Sequence, residues 1–414
     1  MKKSSSRFSS MMSRRTAVRL IGVSPCLVGS LLAACSATPP GARAASPSAI
    51  PEALEPGGTL DHFVAQQAAQ NQFSGTLLVA RGERPVLSRA YGWANREQHL
   101  PNRLDTIYAL GSVTKSFTAV AIMQLVEQNK LALQDPLGKY LSGFPADIAN
   151  TVTIHQLLTH TSGMGDYQMD PEYRQEQQSW ENGTQTMAGL LDIIRQQPLL
   201  FAPGTHYAYS NSGYVTLGEI VQQVAGESYY DYIHQHIFQR AGMSRSDFYT
   251  KPQYTQNPQV AHPYAVVGSQ FLNLQGPNAP APGTIIDASQ LPGGFIGAPD
   301  GNAYSTVEDM LHYSQALQAH RLLNAASTDL LMTGKVDVPT FPWHQSDKYA
   351  YGLGDSLVNG KRLVWHNGGG PGIAAQFDMY PTLGWTVVIL RNIDPDQNFT
   401  DLVKEEEELV TQTL

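Results

Sequence analysis

The two ends of the chain carry the alternating hydrophobic pattern of β-strands. Near the beginning, residues 76–80 and 86–91 predict two strands joined by a turn at residues 82–85, where Gly and Pro occur. Near the end, apolar and polar positions alternate over residues 375–380, and after a turn an apolar run occupies residues 385–390. Both ends of the chain are therefore predicted to contribute strands to a sheet.

The middle of the chain carries helical spacing instead. Residues 60–71 predict a first helix, and residues 115–245 are mainly helical in pattern. A last helix is predicted over residues 398–413. The helix expected after Ser112 has apolar residues at the spacing i, i+3, i+4 and i+8, namely Phe117, Val120, Ala121 and Leu125.

Residues 251–300 follow neither pattern, because they are rich in Pro and Gly and show little periodicity. We predict a long loop here, and loops of that length usually serve a function or move. Strands at both ends with helices between them predict an α/β fold, in which one sheet is assembled from the two chain ends. The inserted, mainly helical region is expected over about residues 117–300.

The first residues are typical of an export signal. Six basic side chains and no acidic one lie within the first 19 residues, and an apolar run occupies residues 18–34. Residues 32–35 (LAAC) resemble the lipobox of bacterial lipoproteins, in which the cysteine, here Cys35, becomes the acylated first residue. A plain signal peptide with a chance cysteine is the alternative. Residues 13–15 (SRR) resemble a twin-arginine signal and leave the choice of export route open.

This pattern predicts three parts of the chain. Residues 1–34 are the expected lipoprotein-type signal peptide, residues 35–58 a flexible linker, and residues 59–414 the folded domain. The expected location is the bacterial cell envelope on the periplasmic side, with a lipid on Cys35 as the contact with the membrane. Inner and outer membrane stay open as alternatives, as does the oligomeric state.

Composition and charge narrow the class of protein. The 414 residues are 42% hydrophobic and 15% charged, which is ordinary globular composition. The net charge is −8, and it becomes −14 once the six basic residues of the predicted signal are removed, so nucleic acid is excluded as a partner. The two cysteines are Cys26 and Cys35, so the mature chain can form no internal disulfide, cysteine metal site or catalytic thiol.

The first candidate for chemistry is the pair Ser112 and Lys115. Three residues on a helix make about one turn, so the lysine ammonium can lie over the serine hydroxyl. A serine hydroxyl is a weak nucleophile that needs a proton acceptor beside it, and a desolvated lysine can help to fill that role. At a helix N-terminus, free main-chain N–H groups also point at a developing oxyanion.

Two further segments carry candidate chemistry. In residues 209–211 (YSN), the phenol of Tyr209 is expected to ionise below its usual pKa beside a positive charge and to relay a proton, and Asn211 can bind a substrate amide. A turn tyrosine is the alternative interpretation. In residues 366–370 (HNGGG), three glycines let a substrate approach the backbone closely, although a Gly-rich β-turn with a surface His366 would have the same sequence.

Together and in this order, three segments resemble the penicillin-recognising serine hydrolases, which include class C β-lactamases, D-Ala-D-Ala carboxypeptidases and related esterases. Residues 157–163 and 203–218 are also similar to that family, and the resemblance covers roughly residues 60–414. The three segments are residues 108–115 (YALGSVTK), 209–211 (YSN) and 366–368 (HNG).

The resemblance implies a β-lactamase-like mixed fold: an antiparallel sheet flanked by helices, an inserted helical domain, and an active site in the cleft between them. It implies that Ser112 is the acylated nucleophile and that Lys115 and Tyr209 transfer its proton. Asn211 would bind the acyl-side amide of the substrate. The main-chain N–H groups of Ser112 and Gly369 would form the oxyanion hole. No metal or organic cofactor is implied.

The third segment departs from part of the family. His366, Gly368 and Gly369 are its substrate-binding candidates, but class C β-lactamases usually have Lys-Thr-Gly where this chain has His-Asn-Gly. A histidine is mostly neutral at pH 7, so a fixed cation for a substrate carboxylate is missing. Ala109 also replaces a Glu that is frequent in class C enzymes. The histidine weakens β-lactam hydrolysis more than peptide or ester hydrolysis, and the two departures together argue against efficient β-lactamase activity.

Other sites fit the sequence less well. The chain has no Gly-x-Ser-x-Gly elbow, so an α/β-hydrolase would lack its nucleophile. His234 and His236 are expected to be surface or packing residues, His160 to fix a loop, and residues 405–408 to form a solvated helix face.

The sequence therefore predicts a serine hydrolase that acts through an acyl-enzyme on a peptide, amide or ester, in the manner of a D-Ala-D-Ala carboxypeptidase. Two alternatives stay open. One is a carboxylesterase with the same catalytic residues, because ester cleavage asks less of a carboxylate pocket. The other is a penicillin-binding receptor that does not turn over, because the placement of the deacylating water has no sequence signature.

Overall fold

An antiparallel sheet of eight strands forms the centre of the fold. The computed structural model describes residues 50–274, 279–291 and 297–412. The predicted signal peptide over residues 1–34 and the lipid site at Cys35 lie outside the described residues.

The described strands follow the chain from both ends into one sheet. In chain order they are β1 (Gly75–Arg81), β2 (Arg84–Tyr91), β3 (Trp93–Asn95), β4 (Leu100–Pro101), β5 (Tyr108–Ala109), β6 (Tyr264–Val266), β7 (Ile285–Asp287), β8 (Tyr304–Ser305), β9 (Val336–Asp337), β10 (Ser346–Tyr349), β11 (Gly354–Val358), β12 (Lys361–Gly370), β13 (Ile373–Tyr380) and β14 (Trp385–Arg391). The large sheet has the order β2-β1-β14-β13-β12-β11-β10-β9, and the pairs β3–β4, β5–β8 and β6–β7 stand apart from it.

The first and last strands of the chain pair with each other. β1 and β14 are antiparallel along their whole length, with Gly75 opposite Arg391 and Arg81 opposite Trp385. The prediction of one sheet assembled from both chain ends is therefore confirmed. Because β1 and β14 lie inside the sheet, each is paired on both edges.

The predicted turn between the first two strands needs one correction. Gly82, with a φ of +58°, lies in the turn, but Pro85 lies in β2 opposite Ala80, where the register of the pair shifts. A proline has no N–H to give to a strand partner, and β2 is an edge strand, where the missing donor is tolerated.

Helices cover both faces of the sheet. The described helices are α1 (Thr59–Ala69), α2 (Thr114–Glu127), α3 (Ala146–Thr151), α4 (Ile154–Leu158), α5 (Pro171–Glu176), α6 (Gly183–Gln196), α7 (Asn211–Ala225), α8 (Tyr229–Ile233), α9 (Gln239–Ala241), α10 (Lys251–Gln256), α11 (Val307–Gln318), α12 (Ala325–Met332) and α13 (Gln397–Gln412). The predicted first, last and post-Ser112 helices are confirmed as α1, α13 and α2. Within the described part of the chain, no helix combines the length and the apolarity that a membrane span requires.

The two faces of β1 belong to two different apolar cores. Leu77 and Val79 pack with α1 and α13, whereas Leu78 and Ala80 face the larger core that contains α2, α7 and α11. This alternation is the strand period of two that the sequence shows. The larger core carries the helices that position the site described below.

Two predicted loop segments are more ordered than expected. In the predicted linker, Leu54 lies in a short 3-10 helix and is fully buried with α1 and α13, so residues 50–58 belong to the folded body. Within residues 251–300, the described part contains α10, β6 and β7, with a small apolar cluster around Ala265 and Val267. Short elements of this kind have too few residues for periodicity to show. The boundary of a separate helical domain stays a prediction.

The predicted solvated face over residues 405–408 is wrong for its two central residues. Glu406 and Glu407 are buried, because they lie on the same helical face as Phe399, Leu402 and Val410. The helical spacing between these two glutamates and the apolar residues predicts their burial, whereas a run of four glutamates is more typical of a charged surface.

Each buried glutamate has its own partners. Glu407 accepts hydrogen bonds from Trp343 Nε1 (2.7 Å) and His344 Nε2 (2.6 Å). Burial and the charge of Glu407 raise the pKa of Asp378, and burial and the charge of Asp378 raise the pKa of Glu406. We infer that Glu406 holds the proton, since two neighbouring ionised carboxyls would be costly in this buried environment.

Glu406→Gln is expected to stabilise the protein at alkaline pH. A carboxyl whose pKa is raised on folding stabilises the fold below its unfolded pKa, and that contribution is lost as the pH rises toward the folded pKa. Glutamine keeps a donor without this penalty, so the free energy of unfolding at pH 8 should rise by on the order of 1 kcal/mol. Urea denaturation at pH 5 and pH 8 measures the change.

The matched control is Glu408→Gln, a half-buried glutamate on the same helix whose ammonium partner Lys404 lies at 3.8 Å. It should change the free energy of unfolding by less than about 0.5 kcal/mol at either pH. A Glu406→Gln protein that is less stable than the unsubstituted protein at pH 8 contradicts the proton assignment.

Candidate active site

Ser112 lies on a single 3-10 turn, Gly111–Val113, that leads into α2. Gly111 adopts a φ of +51°, in the left-handed region that favours glycine. A Cβ at Gly111 would lie 2.9 Å from the main-chain nitrogen of Gly369 in β12. The Thr114 hydroxyl donates back to the Gly111 carbonyl at 2.8 Å. The turn is thereby held against the sheet, with Ser112 at the N-terminal end of the helix.

Lys115 is fully buried behind Ser112. Its Nζ donates to Ser112 Oγ (3.0 Å), to Asn211 Oδ1 (2.7 Å) and to the main-chain oxygen of Asp300 (2.5 Å). Burial lowers the pKa of Lys115 to about 8, against the opposing effect of the negative charges on Asp300 and Asp166. Roughly a tenth of the molecules therefore carry the free amine at pH 7.

Tyr209 covers the same ammonium from the other side. Lys115 Nζ lies 4.7 Å from the centre of the Tyr209 ring. Tyr209 is 39% exposed, and its hydroxyl lies near enough to Ser112 for that neighbour to act on its pKa. The expectation that the nearby positive charge lowers the pKa of Tyr209 is wrong, because desolvation raises it and the Ser112 hydrogen bond offsets only part of the rise. Tyr209 keeps its proton at neutral pH.

His160 holds the segment that carries Tyr209. Its Nδ1 accepts from the Ser210 N–H at 3.0 Å, and its carbonyl accepts from the Ala208 N–H at 2.9 Å. The His160 ring lies 4.3 Å from that of Tyr209. Burial keeps the pKa of His160 well below its usual value, so the ring is neutral. The prediction of a loop-fixing residue is confirmed.

Asn211 opens α7 and joins Lys115 to an acid that the sequence analysis missed. Its Oδ1 accepts from Lys115, and its Nδ2 donates to Asp166 Oδ2 at 2.7 Å. Asp166 follows the Gly-rich loop 162–165, which carries the only sequence signal that could have directed attention to it. Without a substrate, both ends of the Asn211 amide are thus engaged by charged side chains.

Asp300 is the second residue that sequence reasoning missed. It is 3% exposed, and its Oδ2 accepts from the Tyr167 hydroxyl at 2.9 Å. Its Oδ1 has no donor among the described residues. Burial raises the pKa of Asp300 to about 6, although the charge of Lys115 lowers it. Asp300 contacts Lys115 through its main-chain oxygen, which any residue type can supply. No sequence motif therefore marks this position.

The glycines of the third segment lie in a strand and not in a turn. Gly368 is paired with Ala375 of β13, so the alternative interpretation of a Gly-rich β-turn is wrong. A Cβ at Gly368 would lie 2.0 Å from the carbonyl oxygen of Leu110 and 3.1 Å from the nitrogen of Ser112. Only a glycine lets the strand approach the turn that carries Ser112 this closely.

His366 is buried beside Tyr349. It is 4% exposed, which also excludes the surface interpretation, and its Nε2 lies 3.1 Å from the Tyr349 hydroxyl. Burial and the charge of Lys115 lower the pKa of His366 to about 3. The ring is therefore neutral at pH 7, and the expected absence of a fixed cation at this position is confirmed.

A cleft of about 530 Å³ opens in front of Ser112. Of the predicted residues, Ser112, Asn211 and Gly369 line this cleft, whereas Tyr209 and His366 line a smaller pocket of about 190 Å³. The cleft has mixed polarity, and its other lining residues include Gln168, Tyr173, Arg174, Lys251, Tyr254, Phe271 and Tyr304.

Neither His234 nor His236 lines the cleft in front of Ser112. His234 is exposed, and His236 pairs with Glu227 at 3.0 Å, as expected for surface residues. Among the described residues, one set could bring three metal-ligating atoms within 4.8 Å of one another: Glu97, His262 and Asp287. None of the three lines the cleft, and His262 Nδ1 already pairs with Asp287 Oδ2 at 2.8 Å.

Comparison with known proteins identifies the family. The model of the family described as Beta-lactamase matches residues 60–410 of this chain. The chain therefore belongs to the beta-lactamase family, within its class of serine hydrolases, and the resemblance inferred from the three segments is confirmed. The β-lactamase-like mixed fold is confirmed with it.

Individual relatives agree with this assignment. The protein named penicillin-binding protein PbpX of Bacillus subtilis is 33% identical over 63% of this chain and 59% of its own length. A second penicillin-binding protein of B. subtilis is 27% identical over 81% of this chain and 71% of its own length. The crystal structure of a penicillin-binding protein from Bacillus halodurans superposes with a TM-score of 0.69 at 30% identity, covering 82% of this chain and 98% of that one.

Gly368→Ala is expected to impair the site severely. Its Cβ would overlap the Leu110 carbonyl, so the turn carrying Ser112 must shift, at a cost of about 1–3 kcal/mol in stability. A shift of about 1 Å at a nucleophile can lower the rate about a hundredfold. The rate of acylation by a p-nitrophenyl ester, together with the thermal midpoint, measures both effects.

Gly370→Ala is the matched control in the same strand. A Cβ there would meet Ile373 at 3.4 Å, an ordinary van der Waals contact. Gly370→Ala should disturb acylation far less than Gly368→Ala. Equal rates for the two variants would show that the contact between Gly368 and Leu110 does not position Ser112.

Asp300→Asn tests the electrostatics of Lys115. Removing the negative charge lowers the pKa of Lys115 below about 8, while the main-chain acceptor of residue 300 remains. The free amine then persists to lower pH, so the acidic limb of the kcat/KM profile should move to lower pH. The pH profile of ester hydrolysis from pH 5 to 9 measures the shift.

Asp309→Asn provides the comparison for Asp300→Asn. Asp309 is also a buried aspartate, but it accepts from Arg245 and Ser246 and is not among the groups that act on Lys115. The acidic limb of the kcat/KM profile of Asp309→Asn should coincide with that of the unsubstituted enzyme. An unmoved limb in Asp300→Asn would mean that Lys115 does not set the acidic limb.

Proposed function

We propose that this protein is a hydrolase that forms an acyl-enzyme on Ser112 and acts on a peptide, amide or ester. The observation that carries the proposal is the hydrogen bond of 3.0 Å between Ser112 Oγ and the fully buried Nζ of Lys115. A lysine with a lowered pKa beside a serine at a helix N-terminus is an arrangement suited to nucleophilic catalysis.

The proton transfers follow from the pKa shifts. The free amine of Lys115 accepts the Ser112 proton as Oγ attacks the substrate carbonyl. Tyr209, which keeps its own proton at neutral pH, hands that proton to the leaving oxygen or nitrogen and is reprotonated from Lys115. The bond between the acyl carbon and the leaving group breaks, and the acyl group remains on Ser112 until water releases it.

The oxyanion that forms during attack needs two N–H donors. We propose those of Ser112 and Gly369, since the N-terminus of α2 presents the first and the close approach of β12 brings the second beside Gly111. Asn211 binds the acyl-side amide in this proposal, and a substrate would then compete with Lys115 and Asp166 for its two ends.

Two substrate types fit this mechanism. The names of the relatives, penicillin-binding proteins, support a D-Ala-D-Ala carboxypeptidase-like activity on acyl-D-amino-acid peptides. The neutral His366 supports the second type, a carboxylesterase, because a departing D-alanine carries a carboxylate and this strand offers it no cation.

We also propose that the protein works in the bacterial cell envelope. The relatives named as penicillin-binding proteins and the basic, then apolar start of the chain support this location. A lipid on Cys35 remains a proposal that rests on the sequence LAAC alone.

An intact-mass time course tests the mechanism. The protein is mixed separately with a penicillin and with a p-nitrophenyl ester, and Ser112→Ala serves as the control. The expected result is an adduct or a burst of product that Ser112→Ala lacks entirely. A Ser112→Ala protein with full hydrolytic activity would overturn the mechanism, and a permanent ester adduct without turnover would make the protein a receptor.

A further inference from the structure

We propose that the smaller pocket beside Tyr209 binds the leaving group of the substrate, and that this group is an uncharged aromatic alcohol or amine. We call it the aromatic pocket. It has a volume of about 190 Å³. Its walls are Tyr207, Tyr209, Phe341, Tyr349, Trp365 and His366. The proposal rests on the proposed function and names the substrate class for the same site.

The strand β12 connects the aromatic pocket to the nucleophile. His366 and Asn367 line the pocket, Gly368 abuts the turn of Ser112, and Gly369 lines the large cleft. Three steps along one strand therefore lead from the pocket, past the reacting serine, into the cleft. The pocket residue His366 and the cleft residue Gly369 thus flank Gly368, the glycine that abuts the Ser112 turn, so the two halves of a cleaved bond can bind in the two spaces.

The position of the proton donor determines which half of the substrate binds in the aromatic pocket and which half binds in the cleft. The leaving oxygen or nitrogen must lie within hydrogen-bond reach of the group that protonates it. Tyr209, which contacts Ser112, lines the aromatic pocket, whereas Asn211, the proposed acyl-side residue, lines the cleft. The acyl part accordingly lies in the cleft and the leaving group in the aromatic pocket.

The walls of the pocket favour a flat apolar group. The Phe341 and Trp365 rings are 5.6 Å apart, and Phe341 also stacks on Trp343 at 5.1 Å. The Trp365 indole N–H is already bonded to Ser356 Oγ at 2.7 Å, which leaves its ring to contact the ligand. An apolar cavity of about 150 Å³ is sufficient for benzene, so the volume here suits one ring.

The charges around the pocket disfavour a carboxylate. His366 is neutral, and its Nε2 is engaged by Tyr349. Of the described lining residues, Lys348 carries the formal positive charge, and its ammonium is hydrogen-bonded to Asp337 at the surface. A carboxylate that left water for this pocket would lose hydration without gaining a free cation.

Matched esters test the proposal. Methyl, benzyl and 4-carboxybenzyl acetate share one acyl group, and their alcohols have similar acidities, so their intrinsic reactivities are close. The unsubstituted enzyme should show a kcat/KM for the benzyl ester at least about tenfold above those of the methyl and 4-carboxybenzyl esters.

Phe341→Ala removes one wall of the pocket and should lower the benzyl-to-methyl ratio of kcat/KM by about fivefold or more. Phe271→Ala is the matched control, because Phe271 lines the large cleft and packs near Gly369. It should leave the benzyl-to-methyl ratio within about twofold of its original value. Ser112→Ala, measured in parallel, reports on the mechanism itself.

The outcomes separate the two proposals. A benzyl-to-methyl ratio near one, or one that Phe341→Ala leaves intact, overturns the aromatic pocket while the acyl-enzyme stands. A preference for the 4-carboxybenzyl ester also overturns it and assigns Lys348 to carboxylate recognition. An enzyme that turns over none of the three esters but is acylated by penicillin overturns it as well. Hydrolysis that persists in Ser112→Ala overturns both proposals.

Discussion

The buried ammonium of Lys115 is the group on which the geometry of the site depends. A charged nitrogen without access to water must find an acceptor for each of its hydrogens. The three acceptors come from three distant parts of the chain: the Ser112 turn, Asn211 at the start of α7, and the Asp300 carbonyl just before β8. Satisfying one side chain thus fixes Ser112, the helical region and the following strand relative to one another.

The same burial supplies the chemistry. Desolvation lowers the pKa of Lys115, whereas the charges of Asp300 and Asp166 restore part of its basicity. The result is an amine that is mostly protonated at pH 7 but has a usable free fraction. For Tyr209, which lies over this ammonium, desolvation raises the pKa of the phenol and the charges of Asp300 and Asp166 act in the same direction, so the phenol keeps its proton. The base and the proton relay differ because their surroundings differ.

What the sequence could predict depended on local spacing. The strands β1 and β14 and the helices α1, α2 and α13 follow from apolar periodicity, and the contact between Ser112 and Lys115 follows from their separation by one helical turn. Asp300 had no such signal, since it acts on Lys115 through a main-chain oxygen from 185 residues away. The pKa of Tyr209 was misjudged because its charge neighbour is visible in a motif, whereas its burial is a property of the whole fold.

Buried acids and bases also explain why the large cleft and the aromatic pocket differ in polarity. The cleft contains Asn211, whose amide oxygen and nitrogen are hydrogen-bonded to Lys115 and Asp166. A ligand in the cleft can therefore exchange with these polar contacts. On the other side, His366 lies close enough to Lys115 for the ammonium to help keep the imidazole neutral. A lysine at that position would instead place a second cation near Lys115 and lower the pKa of both. With a neutral His366, the positive charge stays on Lys115 beside Ser112, and the adjoining pocket offers aromatic contacts.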